Sequence, residues 1–441
     1  MDATTGEVTE LLRQFIRNRC VNDGRPTSGE EERSARLVEE VLSVPGVEVE
    51  RLSSLPGRSS TVARIEGSDP TAPTLALVGH LDVVPASPTG WSHDPFGADL
   101  EDGIVWGRGA VDMLNLTAAM VVATRRLATS GFRPRGTLVL AAVADEEAGG
   151  VHGAEWLLAH HPELVDADMV LSESGGIPAP GPNGTTRRAV MVAEKGIAWS
   201  RLRVRGTPGH GSRPFRTDNA LVKAARVVAA LADYPVPTTI GPVWREFVAA
   251  SGLPAALAEP SGVEELCATS EDLRLARLAH ACTHLTISPN VAVGGTKTNI
   301  IPDEVVLEVD FRTLPGQGIE DVRAILADAL GELAEDVTLE VIQDQPASAS
   351  PAAGPLWEAL ERVATGLTGP TRLVPGMLTG GTDARLWRQR GAVAYGVGLF
   401  SDAITPEAYD SMFHGRDEHV DVESLGLSAA FFEGVAREVL A

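Results

Sequence analysis

Residues 74–84, TLALVGHLDVV, decide the fold. The run is apolar on both of its faces until it ends in His80 and Asp82, as a strand buried inside a parallel sheet requires. The same texture returns in TLVLAAV at 137–143 and DMVL at 168–171. Between and after these runs, 116–127 and 153–160 carry the periodicity of helices. Buried strands alternating with crossover helices predict an α/β unit, a mainly parallel sheet sandwiched by helices. Each apolar run discharges into polar residues: His80 and Asp82 after the first, Asp145, Glu146 and Glu147 after the second, Glu173 after the third. The carboxyl ends of parallel strands lie along one edge of a sheet, where ligands bind, so three segments bring imidazole and carboxylates to one crevice.

After the Pro/Gly-rich stretch 175–184 the texture changes. Strands are expected at 198–204, 283–287, 305–311 and 337–342, with helices at 219–231 and 319–333. That β-α-β-β-α-β order describes a ferredoxin-like α+β unit. It divides the chain into a first catalytic part at 1–193, an inserted lid at 194–347 and a second catalytic part at 348–441. The lid carries a mostly helical insertion at about 234–282, longer than an ordinary connection. The Pro/Ala/Ser-rich residues 345–355 read as the return crossing, after which 356–367 resumes the helix-sheet alternation.

A length of 441 residues exceeds what one hydrophobic core usually supports, consistent with two domains. Thirty-seven Lys and Arg against 60 Asp and Glu give a formal charge of -23, which repels nucleic-acid phosphates and anionic membrane surfaces. Cys20, Cys267 and Cys282 are odd in number and lie at no zinc-motif spacing, so they read as reduced, buried thiols. The N-terminal residues Val8, Leu11, Leu12, Phe15 and Ile16 form an amphipathic pattern without the apolar run of a signal peptide. No uncharged stretch suits a bilayer, which leaves the cytoplasm as the expected compartment.

Clustered carboxylates repel one another unless a cation compensates, so a site for two metal ions is the cheapest account of these residues. Imidazole with carboxylate suits zinc, with cobalt or manganese as substitutes. In extended chain, residues two apart point the same way, so the Asp82 carboxylate is expected on the far ring nitrogen of His80, fixing its tautomer. Glu146 and Glu147 can divide labour, one holding metal and one moving protons.

Ten motifs then follow in order: GHLDVVP (79–85), WSHDPF (91–96), GRGAVDM (107–113), ADEEAGG (144–150), LSESGG (171–176), GTPGHGSRP (206–214), TNIIPDE (298–304), DFRTLPG (310–316), GGTDA (380–384) and FHGRDEH (413–419). Together they resemble the co-catalytic di-zinc aminoacylase/carboxypeptidase family, with acetylornithine deacetylase, succinyl-diaminopimelate desuccinylase and carboxypeptidase S among its members. The resemblance implies a metal-dependent hydrolase that cleaves an amide of a dipeptide-like or N-acyl amino acid with a free carboxylate. Hydrolysis of a related ester or carbamate, or a catalytically silent metal-binding scaffold, are the alternatives.

By that resemblance His80, Asp112 and Glu173 hold one zinc, and Asp112, Glu147 and His414 the other, with Asp112 bridging. Glu146 is the general base and Asp82 supports the site from behind. His210 stabilises the oxyanion, Asn299 and Arg312 contact substrate, and Gly380, Gly381 and Thr382 form a substrate-contacting loop. The family commonly has a cis peptide after the bridging aspartate, here Asp112–Met113, and often a lysine where this chain has Leu114. The family's histidine acts from a partner subunit, which implies a homodimer through the lid. The insertion resembles the enlarged lid of the carboxypeptidase S branch, where one chain completes the site.

Overall fold

The structure, a computed structural model, describes residues 2–87 and 89–441. Two compact units divide the chain: the first runs to Val192 and resumes at Ser350–Gly376 and Thr382–Ala441, and the second comprises Ala193–Ala349 with Met377–Gly381.

In the first unit the strands Thr137–Val143, Thr74–His80, Met169–Ser172 and Val393–Gly396 lie side by side and parallel. Arg58–Ile65 with Glu48–Leu55 extends one side antiparallel, and Thr186–Glu194, along which the chain leaves the unit, extends the other. The continuous apolar runs are explained by burial on both sides of the pleat. Ala76, Val78, Val139, Ala141 and Val143 join a core with Leu157, Leu158, Ala384 and Trp387. Facing the opposite way, Leu75, Leu77, Leu138 and Leu140 are equally buried. The helix Leu114–Thr129 packs on the strand Thr74–His80 and against the helices Ala3–Asn18 and Val422–Val439. It is buried along most of its length, which explains its wealth of Ala and Val.

Register places the chemistry. His80 pairs with Val143, and Leu77 with Leu171. Asp145 and Glu173 therefore leave their strands level with His80. The Asp112–Met113 bond is trans, as is every described peptide bond, contrary to expectation. The turn into the next helix is made instead through the soft dihedrals of Met113, φ -119° and ψ 26°.

The second unit has four antiparallel strands in the order Thr286–Gly294, Glu304–Thr313, Gly196–Arg205, Val337–Gln345. The helices Ala220–Asp233 and Ile319–Leu330 cover one face of the sheet. Strict alternation along Glu304–Thr313 sends Val305, Leu307, Val309 and Phe311 inward. The insertion forms the helices Pro242–Ser251, Pro260–Thr269 and Leu273–Thr283. The strand expected at 283–287 begins only at Thr286, because the Asp272 cap and the Thr283 hydroxyl, bonded to the Ala279 carbonyl, carry the last helix through Thr283. Cys20 and Cys282 are buried, but Cys267 is exposed, contrary to its expected burial, with its Sγ 3.7 Å from the Ala276 carbonyl of the next helix. Among the described residues no helix is long and apolar enough to cross a membrane.

Candidate metal centre

Two donor groups converge at the strand ends of the first unit: His80, Asp112 and Glu173, and Asp112, Glu147 and His414. Within each group the nearest ligand atoms lie within 4.8 Å of one another. Asp112 belongs to both and divides its oxygens. Its Oδ1 lies 3.4 Å from His80 Nε2, and its Oδ2 lies 3.3 Å from His414 Nε2. Glu173 Oε2 is 3.9 Å from His80 Nε2, and Glu147 Oε2 is 3.3 Å from His414 Nε2. His80, Asp112 and Glu173 are buried, whereas the His414 side chain is 59% exposed on a left-handed backbone of φ 55°.

So many carboxylates in so little water perturb one another. Burial and the field of Glu173 push Glu146 well above the usual carboxylate range, and burial with Asp112 raises Glu147. Burial opposes the charged form of His80, yet its hydrogen bond to Asp112 and the nearby Glu173, Glu146 and Asp82 lift it well above its ordinary value. Hydrogen bonds to Asp112 and Glu147 raise His414 to about 10. Acids and imidazoles both held above their ordinary values report a surplus of negative charge, which a cation would relieve. The donors fit divalent cations: each group offers one imidazole nitrogen and carboxylate oxygens from two residues, and three protein ligands leave a coordination position open.

The geometry behind these residues differs from expectation at Asp82. His80 Nδ1 meets the backbone carbonyl of Asp82 at 2.8 Å, while the Asp82 carboxylate is 3.6 Å away. A bond to a carbonyl still fixes the tautomer, with the proton on Nδ1 and Nε2 free to coordinate. The buried carboxylate faces the neighbouring turn, accepting the N–H groups of Glu146 at 3.2 Å and Glu147 at 3.1 Å and the Asn22 amide at 2.9 Å. Asp145, left-handed at φ 70°, opens that turn and is anchored by Asn22, Arg58 and the His152 N–H. Asn22 and Arg58 escaped the sequence reading, since neither lies in a motif and each acts through long-range contacts.

Thr382 is buried in the first unit. Its carbonyl accepts from Arg385 Nη1 at 2.7 Å, and Arg385 Nη2 reaches the Gly149 carbonyl at 2.8 Å. The remaining candidates lie in the second unit. His210 pairs with Ile300 on a short ribbon, and the Asn299 carbonyl accepts the Gly211 N–H at 2.8 Å, so His210 and Asn299 share one loop cluster. His210 Nδ1 accepts the Ser212 N–H at 3.1 Å, leaving Nε2 as the protonated nitrogen of the neutral ring. Arg312 is engaged already, its Nε and Nη2 bonded to Asp310 at 2.8 and 3.1 Å. A Cβ added at Gly380 would meet nothing within 4 Å, and one added at Gly381 would first meet the Ile197 and Gln345 side chains, at 3.3 and 3.5 Å.

Residues 76–438 match the model described as peptidase family M20/M25/M40. The chain belongs to this family. Its M20 membership makes it a hydrolase of a metal-dependent group and bears out the resemblance carried by the motifs. It is 30% identical to aminoacylase-1 of Homo sapiens over 431 residues, covering 96% of this chain and 92% of that one. It is 25% identical over 386 residues to the N-fatty-acyl-amino acid synthase/hydrolase PM20D1 of Xenopus tropicalis, covering 85% and 74%. In fold it is similar to the M20 metallo-carboxypeptidase Sso-CP2 of Sulfolobus solfataricus, with TM-score 0.75, 19% identity and coverage of 100% and 99%.

Proposed function

We propose that this M20 hydrolase cleaves the amide of an N-acyl amino acid or dipeptide-like substrate with a free carboxylate, using two divalent cations and Glu146 as general base. The observation that carries the reading is the division of Asp112, one oxygen toward His80 and the other toward His414. A single carboxylate between two imidazole-containing groups is the arrangement a bridged pair of ions needs. His80, Asp112 and Glu173 would hold one ion, and Asp112, Glu147 and His414 the other. Zinc suits these donors, and cobalt or manganese can replace it.

The ions would supply Lewis acidity for the scissile carbonyl and acidify water at the site. The chain supplies the rest. Glu146 shares a turn with the ligand Glu147, and both backbone N–H groups are pinned by Asp82, so the base is held at a fixed distance from the ligands. Its carboxylate takes the proton of the attacking water and hands it to the departing amine. His210, with its proton on Nε2, donates a hydrogen bond to the developing oxyanion. Arg312 presents its remaining N–H groups to the substrate carboxylate while Asp310 holds its orientation. Asn299 and the Gly380–Gly381–Thr382 loop complete the substrate contacts. The names of the relatives, an aminoacylase and an N-fatty-acyl-amino acid hydrolase, support the acyl amino acid class.

The test pairs a substrate panel with one variant. N-acetyl, N-succinyl and long-chain N-acyl amino acids and dipeptides are assayed with wild type and Glu146→Gln. The variant is expected to keep its metal and lose roughly 10² to 10⁴ in kcat or more. Undiminished turnover in the variant, or no hydrolysis across the panel by the metal-loaded wild type, would sink the proposal.

A further inference from the structure

One buried ion pair joins the loop that carries Asp112 to the loop that carries His414. Glu418 is fully buried, and both its oxygens are saturated. Oε2 accepts from Arg108 Nη1 at 2.8 Å and the Gly109 N–H at 3.0 Å, and Oε1 accepts the N–H groups of Val111 at 2.7 Å and Asp112 at 2.9 Å. Arg108, also buried, turns Nη2 to the carbonyls of Gly415 at 2.9 Å and His414 at 3.4 Å. The Gly107 N–H closes the link on the Glu418 carbonyl at 2.9 Å. A carboxylate buried among three peptide N–H groups and a guanidinium allows the 107–112 loop very little freedom.

We propose that Glu418 and Arg108 are positioning residues that set the placement of Asp112 against His414, and so secure the cation site of Asp112, Glu147 and His414 in particular. The inference rests on the two-cation reading above. Its asymmetry follows from how each ligand is mounted. His80 and Glu173 emerge directly from hydrogen-bonded strands whose register holds them without help from Glu418. His414 instead follows the seven-residue helix Pro406–Met412, half-exposed and left-handed, and its own carbonyl is one of the groups Arg108 holds. Loosening the pair therefore frees His414 and rotates the shared Asp112 first on the side facing it.

The experiment uses the full chain, stripped by a chelator and titrated with Zn²⁺ by calorimetry, with Co²⁺ absorption and bound-metal analysis as independent readouts. The wild type is expected to take two equivalents. Glu418→Gln keeps the size but turns one acceptor into a donor facing other donors. It is expected to bind the first equivalent within about threefold of wild type and the second about 10- to 100-fold more weakly. Arg108→Lys, which keeps the charge but cannot reach Glu418 and the 414–415 carbonyls together, is expected to show the same selective loss to a smaller degree, and it carries the test if Glu418→Gln does not fold. Wild-type affinity for both ions in the variants, or equal loss of both, overturns the proposal and makes the pair merely structural. A wild-type chain that takes fewer than two ions overturns the two-cation reading itself, a result distinguishable from either.

Discussion

Asp82 shows how a residue can be found for one reason and matter for another. Its place two residues after His80 marked it as part of the site, but its carboxylate turns away from the ring to hold the N–H groups of Glu146 and Glu147. Asp82→Ala would leave those N–H donors unpaired beside buried acids and take from the Asn22 amide one of its two carboxylate acceptors, so the turn should drift. We expect kcat to fall about 10- to 100-fold with bound metal retained, a split that steady-state kinetics beside metal analysis would reveal. Gly150 is a sharper case: at φ 77° an added Cβ would lie 2.5 Å from the Asp383 carboxylate. Gly150→Ala should destabilise the first unit by about 1–3 kcal/mol, read as a lower urea midpoint. At Arg312 the fork is already half used by Asp310. Arg312→Lys is expected to raise KM at least about tenfold for a free-carboxylate substrate with kcat little changed, and to have no effect on the same substrate with its carboxylate amidated. The ligand candidates His80, Asp112, Glu147, Glu173 and His414 were legible because each sits at a strand end or in a motif. Glu418 lies within FHGRDEH, yet the sequence assigns it no task, since a carboxylate that serves peptide N–H groups leaves no spacing signature. Arg58 and Asn22 were invisible for the related reason that what ties them to the site is distant in sequence: the Asn22 amide meets Asp82 and Asp145 across 60 and 123 residues, and Arg58 meets Asp145.

The elements repeat the lesson. The parallel strands were readable because burial on both faces demands continuous apolar runs, and Glu304–Thr313 because burial on one face demands alternation. The junction near 283 is not legible from apolar period, because side-chain bonds decide where that helix stops. The same junction holds a titration with a definite sign. His284 is buried as a neutral ring: Nδ1 bonds the His280 carbonyl at 3.0 Å and Nε2 the Thr238 hydroxyl at 2.9 Å. Its ring stacks on His280, and Lys195 donates to its carbonyl, with Glu264 the acid nearby. Burial and then His280 push it down to about 4. Because the folded value is below the unfolded one, this contribution is complete above pH 6.5 and is lost as pH falls toward 4. Over that window it amounts to about 3 kcal/mol. Thermal melts of the wild type and His284→Asn across pH 4 to 7 should show a steeper acid loss in the wild type. Parallel curves would exclude His284 as the cause.

At the scale of the whole chain, each unit has its own hydrophobic core, and every donor of the two candidate cation groups belongs to the first. Ions bound there can stabilise the second unit only through coupling between the two, whereas they act on the first directly by preferring its folded form. At metal concentrations about 100-fold above the dissociation constant, each ion contributes about 2.7 kcal/mol. Removing the ions also restores repulsion among Asp112, Glu147 and Glu173, so the stripped first unit loses stability beyond the binding term. Chelation is therefore expected to lower hydrogen-exchange protection in the strands Thr74–His80 and Thr137–Val143 well before it touches Gly196–Arg205 and Glu304–Thr313. Equal loss in all four strands would mean that the units unfold as one. Unchanged protection in the first two would mean that the buried acids are balanced by protons rather than by metal, and protons held between His80, His414 and their carboxylates would then be the site's resting state.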